Sequence, residues 1–170
     1  YTSTDSGVTW TERQPAGNID NPWYLTASSS DGSKLIVAAN SGRLYTSSDS
    51  GVTWTERQPA GAGNKNWYSA ASSSDGTKLI VAVANGRLYT SSDSGVTWTE
   101  RRPEGDIDKY WNSAASSSDG SKLIAGAYSG RLYTSSDSGV TWTETQPAGN
   151  VDKNWQSVAS SSDGTKLIAG

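Results

Sequence analysis

"SSDSGVTWTE" at Ser47–Glu56 is written again at Ser91–Glu100 and at Ser135–Glu144, and "STDSGVTWTE" stands at Ser3–Glu12. The copies keep a constant interval of 44 residues, as Tyr1, Tyr45, Tyr89 and Tyr133 show. Trp10, Trp54, Trp98 and Trp142 keep it too, and so do Trp23, Trp67, Trp111 and Trp155. Those two sets use up all 8 tryptophans, so none stands outside the repeat. An internal repeat this regular is read before any single residue.

A period near 44 with glycine-rich punctuation fits one four-stranded blade per repeat, the unit of a β-propeller. Composition agrees: 18 glycines among 170 residues supply turns, and 33% hydrophobic residues suit an all-β chain. There is no Cys, His, Met or Phe, which removes disulfides, zinc–thiolate sites and thiol chemistry. A net charge of −3 without a basic block argues against nucleic acid, because phosphate binding needs clustered Lys and Arg. No run approaches the ~18 apolar residues of a membrane-spanning helix. No cofactor or metal is expected.

Within one copy the strands read as "WYSAASS" (67–73), "KLIVAV" (78–83), "RLYTS" (87–91) and "VTWTERR" (96–102). The apolar second strand suits burial on both faces. Gly86 is expected to supply a positive φ in the hairpin after it. Charged residues on the fourth strand suit an outer edge. The units are a half blade at 1–14, blades at 23–59, 67–103 and 111–147, and a half blade at 155–170.

The opening stretch therefore lies between the third and fourth strands. Asp49 is expected to accept from backbone N–H groups two residues on. Gly51 gives backbone freedom, Thr53 offers its hydroxyl to exposed carbonyls, and Trp54 covers the turn and uses its N–H on a carbonyl. The pattern S-x-D-x-G-x-T-W resembles the Asp-box, or bacterial neuraminidase repeat, of sialidases, sortilin-type receptors and related propellers. The residues that carry it are Asp5, Gly7, Trp10, Asp49, Gly51, Trp54, Asp93, Gly95, Trp98, Asp137, Gly139 and Trp142. In those families the box is a fold element away from the active face, so the resemblance implies a structural role. A secreted bacterial origin is also what it implies.

A sialidase would need an arginine triad, a tyrosine–glutamate pair and an acidic aspartate on individual blades. Here Arg43, Arg87 and Arg131 are repeat residues, as are Tyr45, Tyr89 and Tyr133 and Glu12, Glu56, Glu100 and Glu144. The acids outside the repeat, Asp20, Glu104, Asp106, Asp108 and Asp152, all fall in the loop that joins blades and read as solvated loop residues. Calcium at Asp106–Asp108 is disfavoured, for want of the alternating oxygen ligands of a calcium loop. No enzymatic activity is expected.

Two connections vary between copies: the linker into the first strand and the hairpin between the second and third. In a meander both emerge on one face, opposite the uniform turns. That face carries Tyr24, Tyr68, Tyr110 and Tyr128 beside Asn18, Asn64, Asn112 and Asn154, with Arg43, Arg87 and Arg131 at the hairpins. Two functions lead: a scaffold or interaction propeller, natural or engineered, or a multivalent lectin-like module that builds affinity by avidity; a sialidase-like glycosidase relative ranks third. The half blades suggest closure by strand exchange, either within the chain as a four-bladed ring or between two chains as eight blades. The two-chain ring, a homodimer, is favoured.

Overall fold

The computed structural model describes residues 1–170, and none of them is helical. Its strands are β1 (Trp23–Ser28), β2 (Leu35–Ala39), β3 (Leu44–Ser47), β4 (Thr55–Arg57), β5 (Trp67–Ser72), β6 (Leu79–Val83) and β7 (Leu88–Ser91). They continue as β8 (Thr99–Arg101), β9 (Tyr110–Ser116), β10 (Leu123–Tyr128), β11 (Leu132–Ser135), β12 (Thr143–Thr145), β13 (Val158–Ser160) and β14 (Leu167–Ala169). Three antiparallel meanders result, β1–β4, β5–β8 and β9–β12, followed by the pair β13–β14. At the other end Thr2 and Thr11 exchange both backbone hydrogen bonds, at 2.9 and 2.8 Å.

The apolar run of β6 is buried on both faces for a visible reason. Leu79, Val81 and Val83 pack with Leu25, Ile36, Ala38 and Leu44 of the preceding blade. Ile80 and Ala82 pack with Trp111, Leu123, Ala125 and Tyr133 of the next. The middle blade, β5–β8, is thus a layer between two hydrophobic cores.

Backbone hydrogen bonds tie the layers on both faces. Ser30 N–H donates to the Ser74 carbonyl at 2.8 Å, Ser74 to Ser118 at 2.7 Å and Ser118 to Ser162 at 2.7 Å. On the opposite face Gly42, Gly86 and Gly130 form bridges with Lys65, Lys109 and Lys153.

The turn between β3 and β4 is closed by its aspartate, with a reach longer than the sequence suggested. Asp49 Oδ1 accepts from the Thr53 N–H, four residues on, at 2.8 Å. The Thr53 hydroxyl donates to Asp49 Oδ2 at 2.6 Å, not to a carbonyl. Ser47 Oγ donates to Asp49 at 2.8 Å and accepts from the Gly51 N–H, also at 2.8 Å. Trp54 Nε1 donates to the Gly51 carbonyl at 3.0 Å. Ser50 and Gly51 both lie in the left-handed region, with φ of 57° and 84°. The equivalent turn between β7 and β8 takes up Val96–Trp98, which the sequence assigned to the fourth strand; β8 begins only at Thr99.

The β6–β7 hairpin also differs from expectation. Asn85, not Gly86, carries the positive φ of 53°. Asn tolerates that region better than most residues. Gly86 is required for space instead, since a Cβ there would stand 2.8 Å from Val83 Cγ1.

The half blades do not pair with each other: no backbone hydrogen bond joins residues 1–14 to residues 155–170. Ile168 is 70% exposed, whereas its counterparts Ile36, Ile80 and Ile124 are buried.

The turns set an acid limit on stability. Hydroxyl and N–H donors hold Asp49 at about 2, the Thr53 hydroxyl contributing most. Asp5, Asp93 and Asp137 are lowered to the same level by the equivalent threonines. Asp31, Asp75 and Asp163, in the β1–β2 type turns, fall to about 2 chiefly through Ser29, Ser73 and Ser161. Depressed folded-state values mean stability that is complete above the unfolded value of 3.8 and lost as pH falls toward 2. Thermal midpoints should stay level from pH 7 to about 4.5 and drop between about 4 and 2. A midpoint unchanged across the acid window would refute this account of the turns.

Candidate recognition face

The tyrosines reach one another through two different local devices. In β1 and β5 the pairing register shifts between Trp23 and Leu25 and between Trp67 and Ser69. Tyr24 and Tyr68 are the extra residues of these bulges, and a bulge re-aims the side chain it carries. In the third blade the same position holds Asn112, and the aromatic residues come from elsewhere. Tyr110, one residue before the conserved Trp111, lies directly opposite Tyr128 in the β9–β10 register.

The result is a continuous row. Tyr24 and Tyr68 have ring centroids 5.0 Å apart, Tyr68 and Tyr110 5.0 Å, and Tyr110 and Tyr128 5.7 Å. All three contacts are tilted or edge-on, geometries favoured by the ring quadrupole. Tyr24 is 55% exposed and Tyr128 41%, so both ends of the row meet solvent. Beyond it, the Asn112 amide donates to the Trp155 carbonyl at 3.2 Å and to Gln156 Oε1 at 2.9 Å. Asn112 and Gln156 occupy the position of Tyr24 and Tyr68 in their own copies, so amides continue what the rings begin.

A second set of aromatic contacts follows the repeat and serves packing. Trp23–Tyr45, Trp67–Tyr89 and Trp111–Tyr133 sit edge-on at 5.8, 6.4 and 5.4 Å. Burial first, and then Glu100, pushes the Tyr89 hydroxyl up to about 12. Tyr133 donates to Glu104 at 2.7 Å and is raised by burial and by that carboxylate. Sequence reading missed this partnership; the departure of Glu104 from the alanine of the other copies was its signal.

The arginines lie apart from the row, at the bases of the β2–β3 type hairpins. Arg87 Nε meets Asp108 at 2.8 Å and its Nη2 meets Asp106 at 2.8 Å. Arg102 bonds Glu100 at 2.6 Å and Asp106 at 2.7 Å. Lys109 holds Glu104 at 2.9 Å, and Arg131 holds Asp152 at 2.8 Å. The non-repeat acids Glu104, Asp106, Asp108 and Asp152 are therefore each spoken for by a cation. A polar cleft of about 450 Å³ runs between Ser41, Asn64 and Asn66 on one side and Arg87, Tyr89 and Glu100 on the other.

No protein family matches the sequence, and no curated protein is similar to it. Solved structures are similar in fold. A structure of YCF48 bound to D1 peptide superposes with a TM-score of 0.66 at 15% identity, over 88% of this chain and 48% of that one. An ancestral GH74 enzyme gives 0.68 at 18% identity, over 86% and 21%. The architecture is a β-propeller. The hydrazine synthase of Kuenenia stuttgartiensis is also similar, with a TM-score of 0.67 at 18% identity over 93% of this chain and 45% of that one. The propeller blades described here thus span less than half the length of each of these proteins.

The tyrosine row has a spectroscopic signature. Contact with the Tyr68 hydroxyl, more than burial, pushes Tyr110 up to about 12. In a pH titration followed by ultraviolet absorbance, Tyr68→Phe should bring one late-ionising tyrosine back toward 10, its ordinary value. A late-ionising component as large as that of the wild type would show that the two hydroxyls do not interact.

Proposed function

We propose that this chain is a non-enzymatic recognition module, a propeller whose Asp-box turns are structural and whose varied face binds a ligand through its tyrosine row. The observation that carries the reading is the convergence of Tyr24, Tyr68, Tyr110 and Tyr128 from three different repeat positions into one contiguous surface. Repetition alone cannot generate such a row, because two of its members break the repeat. Aromatic residues held at strand ends give large contact area at low entropic cost. The ion pairs of Glu104, Asp106, Asp108 and Asp152 support a non-catalytic role, since each of these carboxylates is engaged by a cation of the chain's own loops. The similar fold of YCF48, seen with D1 peptide bound, supports recognition as a use of this architecture.

Carbohydrate is the second reading. The Asn112 and Gln156 amides beside the rings favour it, because sugars are held by apolar stacking combined with planar hydrogen-bonding groups. A glycan array probed with the wild-type chain and with the Tyr24→Ala/Tyr128→Ala double variant separates the readings. Glycans retained by the first and weakened about tenfold or more in the second would establish the lectin, since each aromatic contact is worth ~0.5–1.5 kcal/mol. An empty array removes carbohydrate and leaves a protein ligand. A panel of glycosidase substrates should show no turnover above the protein-free rate; turnover of any of them would reject the non-enzymatic reading.

A second copy of the chain as the partner that covers the free strand edges is likewise a proposal. It is supported by the exposure of Leu167 and Ile168, whose equivalents in the complete blades are shielded. Sedimentation equilibrium should give twice 17.9 kDa. The mass of a single chain would exclude the homodimer.

A further inference from the structure

The three hairpin arginines share a repeat position but not a fate. Arg87 uses its whole guanidinium on the loop that follows it: Nε on Asp108, Nη2 on Asp106 and Nη1 on the Gly105 carbonyl at 3.0 Å. Arg131 does the same, with Nε on Asp152 at 2.8 Å, Nη2 on Asn150 at 2.7 Å and Nη1 on the Gly149 carbonyl at 3.1 Å. In both blades a carboxylate oxygen accepts from Nε, while an oxygen of a second residue, Asp106 or Asn150, accepts from Nη2.

The loop facing Arg43 has lost these partners. It reads Gln58-Pro-Ala-Gly-Ala-Gly-Asn64, so Ala62 stands for Asp106 and Asn64 for Asp108. Of the four connecting loops it is the one without an acid: Asp20 lies in the first, Glu104, Asp106 and Asp108 in the third, and Asp152 in the fourth. Arg43 accordingly makes no hydrogen bond of the kind its counterparts make. Its nearest charge is Glu56 at 3.7 Å, and its Nη1 is buried without a partner. Its side chain is 32% exposed, against 13% for Arg87 and 17% for Arg131. Lys65 has no acid at this position either, since Ala60 stands where Glu104 holds Lys109, as Ala148 does in the copy of Lys153. The Gly42–Lys65 bridge ties that lysine to the residue next to Arg43.

We propose that Arg43, assisted by Lys65, is a binding site for a carboxylate carried by a ligand. The ligand carboxylate takes the place on the Nε edge that Asp108 and Asp152 fill in the other two blades. Two things favour a carboxylate over other anions: the sister sites hold one in this geometry, and the guanidinium fork matches its two oxygens. The backbone that positions Arg43 is the same in all three blades, so the site is preorganised and lacks only its acid. This site does not depend on the tyrosine row, and the experiment reads it separately.

The test is a ¹⁵N-resolved NMR titration of the arginine Nε–Hε signals, at constant ionic strength with chloride as the balancing ion. The probes are sodium D-glucuronate and sodium N-acetylglycinate, one a sugar acid and the other a peptide carboxylate. The Arg43 signal should shift saturably, while Arg87 and Arg131, already occupied, stay still. Tighter binding of one probe assigns the source of the carboxylate, and binding of either upholds the site. Asn64→Asp supplies the missing acid from within the chain and should weaken probe binding at least about tenfold, about 1.4 kcal/mol. Arg43→Gln, followed at the Gly42 and Lys65 backbone amides, should no longer respond to either probe, and Asn64→Asp keeps the test open if that variant does not fold. A shift shared equally by all three arginines, no saturation with either probe, or an Asn64→Asp variant that binds as before would overturn the proposal.

Discussion

The Ser74 N–H donates to the Ser118 carbonyl 44 residues on, and the same bond recurs from Ser30 to Ser74 and from Ser118 to Ser162. This link sets the architecture, because it joins each uniform turn directly to its counterpart in the next blade. Lys34 and Lys122 reinforce it with ammonium bonds to the Asp75 and Asp163 carbonyls at 2.9 and 2.8 Å. Its geometry depends on the neighbouring aspartate turn being closed, as the Ser50 N–H donates to the Ser33 carbonyl at 2.9 Å. A blade is therefore held in register at its uniform end by backbone groups, and side chains between the blades supply the hydrophobic contact. The close approach extends to Gly95, where a Cβ would lie 2.9 Å from Thr46 Cγ2 of the preceding blade. Any other residue there must displace the neighbouring strand or distort the left-handed turn.

Much of this was legible in the sequence, because the period and the strand pattern reinforce one another. The meander, the burial of the second strand on both faces, and the separation of uniform from varied connections all follow from repeat spacing and apolar runs. The errors lay where a local rule met a specific three-dimensional arrangement. Val96 and Trp98 alternate like strand residues, yet the four-residue reach of Asp93 to Thr97 draws them into the turn at 2.8 Å. Gly86 looked like the residue with unusual backbone angles, whereas its neighbour takes the angle and Gly86 provides the room. Composition cannot distinguish those two uses of glycine. The tyrosines were visible singly, but their contact was not, because it needs both the bulge in β5 and the cross-strand pairing of Tyr110 with Tyr128.

A repeat protein sorts its residues by a simple criterion. Whatever the fold requires appears in every copy, and whatever appears once is free of that requirement. Asp49, Gly51 and Trp54 belong to the first class, with the edge-on Trp67–Tyr89 pair and its equivalents. Tyr110, Tyr128, Asn112 and Asn64 belong to the second. Their importance rests on physical grounds: Tyr110 and Tyr128 complete an aromatic row, and Asn64 leaves a guanidinium without the acid it has elsewhere. Random change on a tolerant surface would scatter such residues without joining them.

The same criterion explains why this face can vary at little cost. Its connection to the next blade is made by backbone bonds, Gly42 N–H to the Lys65 carbonyl at 3.1 Å and Lys65 N–H to the Gly42 carbonyl at 3.0 Å, and likewise at the next two interfaces. Those bonds ask nothing of the side chains at Ala62, Asn64, Tyr110 or Asn112. Exchanging Asp for Asn at such a position alters an exposed ion pair, whose net worth is ~0–1 kcal/mol, and leaves the bridge in place. The uniform face has no such freedom, since its aspartates, serines and threonines are themselves the bonds that close the turns. The bonds that close the turns and the residues that vary thus lie at opposite ends of the same strands, and a change in one need not disturb the other.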